Sequence, residues 1–173
     1  MTDHGEGLAR LWAGWRLPYL DSAGDEDDGG CVFCRILESG EPPEKTYVLW
    51  RDELCAAVLN AYPYTSGHLM VMPVRHLGEL EELEGEEARR VWALTTDAVR
   101  ALKAAYSPEG LNVGANLGRA AGAGVPGHFH VHCVPRWNGD TNFMTVLAEI
   151  RVLPEALPST FERLRAAWPR EAE

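Results

Sequence analysis

Three histidines at alternate positions constrain this chain more than any other feature of its sequence. The run His128-Phe129-His130-Val131-His132 predicts a β-strand, in which neighbouring side chains point to opposite faces. The three histidines would then share one face, while Phe129 and Val131 turn to the other face and pack into a core. A single histidine at such a position is usually a packed core residue. Three in strict alternation indicate a chemical site.

The chemistry of imidazole limits what this site can do. Its pKa near ~6.5 leaves the ring largely neutral at cytosolic pH, so one nitrogen can attack phosphorus or bind a metal while the other donates a hydrogen bond. Nucleophilic attack, phosphate binding and metal ligation are the three candidate roles. Several rings in one row can divide these roles among them.

The size and charge of the chain exclude several functional classes. Its 173 residues, 46% of them hydrophobic, suffice for one well-buried core and are too few for two domains that each bury a core of their own. The net charge of −10 opposes bulk binding to nucleic acid or to an anionic membrane, so any phosphate ligand must be held locally. With no apolar run of about 18 residues and no signal-like N-terminus, we expect a cytoplasmic protein.

Two of the four cysteines have the spacing of a metal site. Cys55 and Cys133 lie in apolar, strand-like runs, where a buried and inert thiol is the ordinary outcome. Cys31 and Cys34 form a C-x-x-C pair, whose sulfurs can converge on one zinc ion at ~2.3 Å. A thioredoxin-like redox pair is the alternative, but that motif expects a βαβ context and the preceding segment is a solvated loop. The predicted zinc ligands are Cys31, Cys34, His76 and His128.

The rest of the chain predicts an α+β scaffold. Five strands, mostly rich in β-branched or aromatic residues and set off by Gly, Pro and Asn, imply an antiparallel sheet. They are predicted at residues 46–50, 54–59, 68–73, 111–116 and 128–134. Residues 86–106 carry apolar side chains at helical spacing and predict a long amphipathic helix on that sheet. A shorter C-terminal helix is predicted to begin near Ser159 with a capping box.

Two segments resemble the histidine triad (HIT) family of nucleotide hydrolases and transferases. They are the histidine row with Pro135-Arg136-Trp137 behind it, and the stretch Leu59–Pro73. The resemblance covers about residues 31–145 and implies a HIT-like fold. Within the family, three further segments look most like the actinobacterial diadenosine tetraphosphate phosphorylases. Those segments are residues 11–20, 112–118 and 137–143.

The resemblance implies a role for each residue of the row. His130 would be the nucleophile that takes a nucleoside monophosphate onto its ring, and His132 would bond phosphate oxygens as negative charge builds. We expect the main-chain carbonyl of His128 to hold one nitrogen of His130 as a donor and leave the other free to attack. In zinc-bearing members the first histidine of the row ligates the metal with the other three residues of the predicted set, so the zinc would be structural.

The matched positions also imply a nucleotide site. Asn60 corresponds to a position that bonds the ribose hydroxyls, although a turn asparagine before Pro63 is an equally good interpretation of the residues alone. Asn116 matches a polar position that contacts phosphate, and the glycine-rich segment 118–127, with Gly124 in it, could bring main-chain N–H groups to an anion. The side chains expected to sandwich the purine, any of which could equally be core, are Val32, Phe33, Ile36 and Leu54.

One departure from the family pattern concerns the leaving group. Many relatives place Ser, Thr or Gln in this loop to bond the bridging or leaving oxygen, whereas residues 120–127 contain no hydroxyl. Arg119 or main-chain amides could substitute, and a solvated Arg119 without a role is the simpler interpretation.

The implied reaction is cleavage of a phosphoanhydride next to a nucleoside, through a nucleotidyl-His130 intermediate. The expected substrate is a dinucleoside polyphosphate, diadenosine tetraphosphate in particular. Inorganic phosphate as acceptor would yield ADP and ATP, water would yield AMP and ATP, and the residues leave this choice open. A purine nucleoside phosphoramidase and a non-catalytic nucleotide-binding module are the alternatives. Since family members are commonly homodimers, we expect a homodimer or a higher homo-oligomer.

The domain organisation follows from these assignments. We predict an aromatic arm and an acidic loop in residues 1–30, the HIT domain in residues 31–150, and a C-terminal helix and tail in residues 151–173. The arm, Leu11–Leu20, is unusually apolar for a terminus. Exposed aromatic patches tend to mark contacts, so we expect it to pack on a partner subunit or over the nucleotide cleft.

Overall fold

One antiparallel sheet with helices on both faces organises the protein, in a computed structural model that describes residues 30–140 and 155–169. The predictions for the N-terminal arm and the acidic loop lie outside these residues. The helices are α1 (Val32–Glu38), α2 (Pro43–Thr46), α3 (Gly85–Tyr106) and α4 (Leu157–Ala167). The strands are β1 (Val48–Arg51), β2 (Cys55–Leu59), β3 (Leu69–Pro73), β4 (Gly110–Ala115) and β5 (Val131–Arg136).

The order of the strands places the histidine row inside the sheet. The order is β1-β2-β3-β5-β4, and every neighbouring pair is antiparallel. In β5, His132 is opposite Met70 of β3 on one side and Gly114 of β4 on the other. The expected α+β fold with an antiparallel sheet, a long helix and a C-terminal helix is confirmed.

The two faces of the sheet bury different sets of side chains. On one face a core forms beneath α3 and α4, and it includes Phe129, Val131 and Cys133. On the other face a smaller cluster joins Met70 and Met72 to α1. Because β2 and β3 are buried on both faces, they show no polar alternation. The predicted division of the row therefore holds, with Phe129 and Val131 in the main core and the histidines on the α1 face.

Helix α3 covers the main core and is tied to the segment that follows β3. The predicted apolar stripe of Val91, Leu94, Ala98 and Leu102 is buried. At the first turn, the buried Glu87 accepts two hydrogen bonds from the Arg75 guanidinium, at 2.9 and 2.7 Å. This bidentate pair fixes the backbone next to His76.

Three details of the scaffold differ from the sequence predictions. Strand β5 begins at Val131 and not at residue 128, so two of the three histidines precede it. The capping box at Ser159 is wrong, because α4 begins at Leu157 with Ala156 as its N-cap and a proline in its first turn, where proline is tolerated. Helix α1, which carries Cys34 and Phe33, was not predicted as a helix. Among the described residues, no helix has the length and hydrophobicity needed to cross a membrane.

Candidate active site and metal centre

The three imidazoles of the row lie on one side of the sheet although two of them precede β5. The ring centroids of His130 and His132 are 4.8 Å apart. The ring of Phe33 packs edge-on against both His128 and His130, at centroid distances of 5.5 and 5.2 Å. Helix α1 therefore covers the beginning of the row and leaves its end, at His132, less buried.

The geometry at His130 suits a nucleophile. Its Nδ1 donates a hydrogen bond to the main-chain carbonyl of His128 at 2.7 Å, as expected from the sequence. That bond holds the proton on Nδ1, so the lone pair of Nε2 is the one available to attack. His130 is 5% exposed, and burial lowers the pKa of its imidazole. The ring is therefore neutral, as a nucleophile must be, at neutral pH.

A fourth histidine, His68, orients His132. The backbone N–H of Tyr64 donates to Nδ1 of His68 at 3.1 Å, so a neutral His68 carries its proton on Nε2. That Nε2 lies 3.0 Å from Nδ1 of His132 and donates to it. His132 must then carry its own proton on Nε2, where it can serve as a hydrogen-bond donor to an oxyanion.

Sequence reasoning missed His68, although it lies in the segment that carries the family resemblance. One sequence signal was available for His68. Because side chains alternate between the two faces of an extended chain, His68 and Met70, two residues apart, share a face. What brings Met70 beside His132 is the pairing of β3 with β5, strands that are 60 residues apart in sequence. That pairing is a property of the tertiary structure.

Four predicted metal ligands converge beside α1. The donor atoms of Cys31, Cys34, His76 and His128 lie within 4.8 Å of one another. Sulfur-to-nitrogen distances are 3.3 Å from Cys31 to His128, 3.4 Å from Cys34 to His76 and 3.6 Å from Cys34 to His128. A tetrahedral zinc site with ordinary bond lengths requires about 3.6 Å between such atoms. The donor set and its spacing therefore fit Zn²⁺.

The other nitrogen of His128 supports the same conclusion. Nδ1 of His128 faces the sulfurs, while Nε2 lies 2.9 Å from the carbonyl oxygen of Pro73 and donates to it. A metal-binding histidine commonly gives its second N–H to such an acceptor, which fixes the ring orientation.

The two thiols of the cluster differ in acidity. Burial raises the pKa of Cys31, but the hydrogen bond with His128 and main-chain contacts outweigh this effect. They lower the pKa of Cys31 below its ordinary value, to about 6. Burial and the neighbouring Cys31 raise the pKa of Cys34 to about 11. Without a nearby dication, two close sulfurs favour one thiolate and one thiol, because two thiolates repel each other. A bound Zn²⁺ would favour the thiolate form of both cysteines.

The apolar residues expected around the purine are divided by the structure. Phe33 and Ile36 belong to the α1 cluster, and Val32 next to them is 37% exposed. Leu54 does not join them, because it packs against the main core on the opposite face of the sheet. The assignment of Leu54 to the nucleotide cleft is therefore wrong.

The two asparagines have structural partners close to the row. Oδ1 of Asn60 accepts the backbone N–H of Tyr62 at 2.9 Å, the contact expected of a turn asparagine. Asn116 directly follows β4, and its Nδ2 donates to the carbonyl of Gly122 at 3.3 Å. Asn116 therefore holds the glycine-rich loop against the end of β4. Contacts of either side chain with a nucleotide stay predictions.

The glycine-rich loop uses several of its own amides. The N–H groups of Ala121 and Ala123 donate to the carbonyl of Gly118, and that of Gly122 donates to Arg119. These amides are therefore already engaged inside the loop. A contact of phosphate with the amide of the buried Gly124 stays a prediction. The Arg119 side chain is exposed at the start of this turn.

Comparison with known proteins identifies the family. The HIT domain family model matches residues 41–139, more than half of the chain. A Mycobacterium tuberculosis protein named AP-4-A phosphorylase is 41% identical over 168 residues, which are 95% of this chain and 86% of that protein. The chain therefore belongs to the HIT family, and it is an enzyme of that family's nucleotidyltransferase or hydrolase type.

Solved structures agree with the assignment of the fold. A hypothetical histidine triad nucleotide-binding protein from Sulfolobus tokodaii has a TM-score of 0.65 at 28% identity, covering 79% of this chain and 91% of its own. A Zn-bound histidine triad family protein from Mycobacterium smegmatis has a TM-score of 0.64 at 30% identity, covering 80% and 92%. The predicted HIT-like fold is confirmed.

The protonation of His130 is directly measurable. Long-range ¹H–¹⁵N spectra should show the His130 ring neutral at pH 7, with its proton on Nδ1. Because burial lowers its pKa, the ring should take up a second proton only below the ordinary histidine value of 6.5. A proton on Nε2, or a midpoint above 6.5, would contradict this assignment.

The same spectra test His68 as a positioning residue. In the wild-type protein, neutral His132 should carry its proton on Nε2. His68→Phe, which fills the space without an N–H donor, should give His132 a mixture of both tautomers. His68→Gln retains a donor and should restore the single tautomer. Unchanged His132 signals in His68→Phe would show that the ring is oriented by other contacts.

Proposed function

We propose that this protein cleaves diadenosine tetraphosphate at an α-phosphorus, through a nucleotide covalently bound to His130. The observation that carries the proposal is the hydrogen bond from Nδ1 of His130 to the carbonyl of His128, in a buried and neutral ring. The substrate is supported by the 41% identity to a protein named AP-4-A phosphorylase.

The proposed reaction has two displacements at the same phosphorus. Nε2 of His130 attacks the α-phosphorus, the bond to the bridging oxygen breaks, and ATP leaves with the electron pair of that bond. An oxygen of inorganic phosphate then attacks the nucleotidyl-histidine, the N–P bond breaks, and ADP is released. The Nε2–H of His132 bonds the phosphate oxygens as negative charge builds in both steps.

Other predicted residues would hold the nucleotide. We assign the base to Val32, Phe33 and Ile36, the ribose hydroxyls to Asn60, and phosphate oxygens to Asn116 and the amide of Gly124. The turn contact of Asn60 with Tyr62 uses one lone pair of Oδ1, so the second lone pair is available to a ribose hydroxyl.

Phosphate is the proposed acceptor, with water as the competing one. The name of the M. tuberculosis relative supports phosphorolysis. The loop residues 120–127 offer no side-chain hydroxyl to the leaving oxygen, so Arg119 or a main-chain amide would take that role.

A structural zinc ion is the second part of the proposal. The donor atoms of the four ligands lie within 4.8 Å of one another, and a structurally similar M. smegmatis protein is zinc-bound. A bound Zn²⁺ would link α1 and the segment after β3 to His128, and four protein ligands leave no open position for a catalytic water. The homodimer or higher homo-oligomer and the cytoplasmic location stay predictions.

The reaction is tested by its products. Incubation with diadenosine tetraphosphate should yield ADP and ATP, and only when inorganic phosphate is present. His130→Asn should lower turnover by about 10³-fold or more, because an asparagine side chain cannot form the covalent intermediate. AMP formed with and without phosphate would identify a hydrolase, and no product in either case would refute the proposed substrate.

The same reaction has a covalent signature and a fold control. Mass spectrometry of the rapidly quenched wild-type enzyme should show a gain of one AMP moiety on the peptide that contains His130. His130→Asn should lack this adduct while its circular dichroism and thermal unfolding match the wild type. An adduct on another residue would move the nucleophile elsewhere.

The zinc proposal is tested by metal analysis and unfolding. The purified protein should contain about one zinc ion per chain, and Cys34→Ser should lose it. Because structural zinc can contribute on the order of 10 kcal/mol to folding, this variant and the chelator-treated wild type should unfold at much lower temperature. Arg35→Ala, an exposed neighbour on α1, is the matched control and should keep the metal. Wild-type protein without stoichiometric zinc, and indifferent to chelator, would contradict the proposal.

A further inference from the structure

Two glycines of β4, Gly110 and Gly114, are not required by their backbone conformation. Neither has a positive φ. A Cβ added at Gly114 would have no heavy atom of the described residues within 4 Å, and one at Gly110 would meet only Cβ of Arg136, at 3.9 Å. Glycine inside a strand costs conformational entropy and often marks a place where a ligand approaches closely. An alanine would fit at either position.

The register of the sheet distinguishes the two glycines. Gly114 is directly opposite His132, and Gly110 is directly opposite Arg136. Side chains of directly opposed residues point to the same face, so the side chain that Gly114 lacks would stand beside the His132 imidazole. Gly110 faces the same side about 13 Å further along the strand. Of these two glycines, Gly114 is therefore the one whose missing side chain would lie next to the His132 ring.

The chemistry of the reaction indicates what this space receives. His130 attacks the α-phosphorus from one side, so the bridging oxygen departs from the opposite side. The acceptor phosphate must later attack from the side that the leaving group vacated. One open space beside His132 can thus serve the departing phosphates first and the incoming phosphate second.

We propose that Gly114 keeps open the path beside His132 that holds the phosphates beyond the α-phosphate, and that it thereby selects nucleoside polyphosphates as substrates. This inference rests on the proposed function. The direction of β4 supports it, because the strand runs from Gly110 past Gly114 towards the glycine-rich loop, which Asn116 holds in place. Arg119 starts the turn of that loop and adds an exposed positive charge at the same end of β4. In a chain with a net charge of −10, a local cation there favours a polyphosphate.

The test compares Gly114→Ala with Gly110→Ala in two binding measurements. The ligands are AMP and α,β-methylene-ATP, an analogue that cannot be cleaved between its first two phosphates. Gly114→Ala should weaken α,β-methylene-ATP by about tenfold or more and change AMP affinity by less than about twofold. Gly110→Ala, with the same substitution on the same face, should change neither. Both variants should unfold at or above the wild-type temperature, since neither Cβ meets a close contact.

Two results would overturn the inference: Gly114→Ala binding the analogue as the wild type does, or losing AMP and the analogue equally. Turnover separates this failure from failure of the proposed function. A wild-type protein that does not cleave diadenosine tetraphosphate refutes the proposed function, while the binding comparison still decides the role of Gly114. Equal kcat/KM for the two glycine variants on a substrate that the wild type cleaves refutes the role of Gly114 alone.

Discussion

The site depends on His128 and the contacts that it makes in three directions. Nδ1 of its ring faces the two cysteine sulfurs, Nε2 donates to the carbonyl of Pro73, and its main-chain carbonyl accepts the hydrogen bond from His130. The residue that would bind the metal is thus the one that sets the tautomer of His130, the proposed nucleophile. Any displacement of His128 would move the carbonyl that holds the proton on Nδ1 of His130, so a bound metal would be physically coupled to the geometry of the proposed nucleophile.

The position of the row in the sheet supplies the second requirement of the proposed nucleophile, a neutral ring. His130 is covered by Phe33 from α1 and flanked by His132, while the next residues on the opposite face anchor the chain in the main core. Burial lowers the pKa of the His130 imidazole, whereas its hydrogen bond to His128 opposes that shift. The net effect favours the neutral ring, because desolvation of the charged form is the larger contribution.

Much of this arrangement was predictable because it follows the side-chain periodicity of a single helix or a single strand. The apolar stripe of α3 and the alternation of Phe129 and Val131 follow from the geometry of one helix and one extended segment. The C-x-x-C pair constrains two sulfurs within one turn of chain. His76 and His128 were the best available partners for that pair, and the donor atoms of all four residues converge in the structure.

The incorrect predictions concern residues whose positions are set by contacts with another segment of the chain. Leu54 has the hydrophobicity of a cleft residue, but the turn before β2 directs it to the main core. Ser159 has the chemistry of an N-cap, yet α4 begins two residues earlier, with Pro158 in its first turn. His68 was overlooked because its partner His132 lies 64 residues further along the chain. Local propensity contains no information about such contacts.

The sequence alone therefore determined which chemical groups this protein brings to the site: three imidazoles in alternation, two thiols at metal spacing, and the strands and helix that carry them. The tertiary structure decided how these groups act on one another. Pairing of β5 with β3 brings His68 to His132, and pairing with β4 leaves the open space of Gly114 beside the same ring. The reason is physical: alternation within a strand fixes which face a side chain takes, whereas only the register between strands fixes its neighbour on that face.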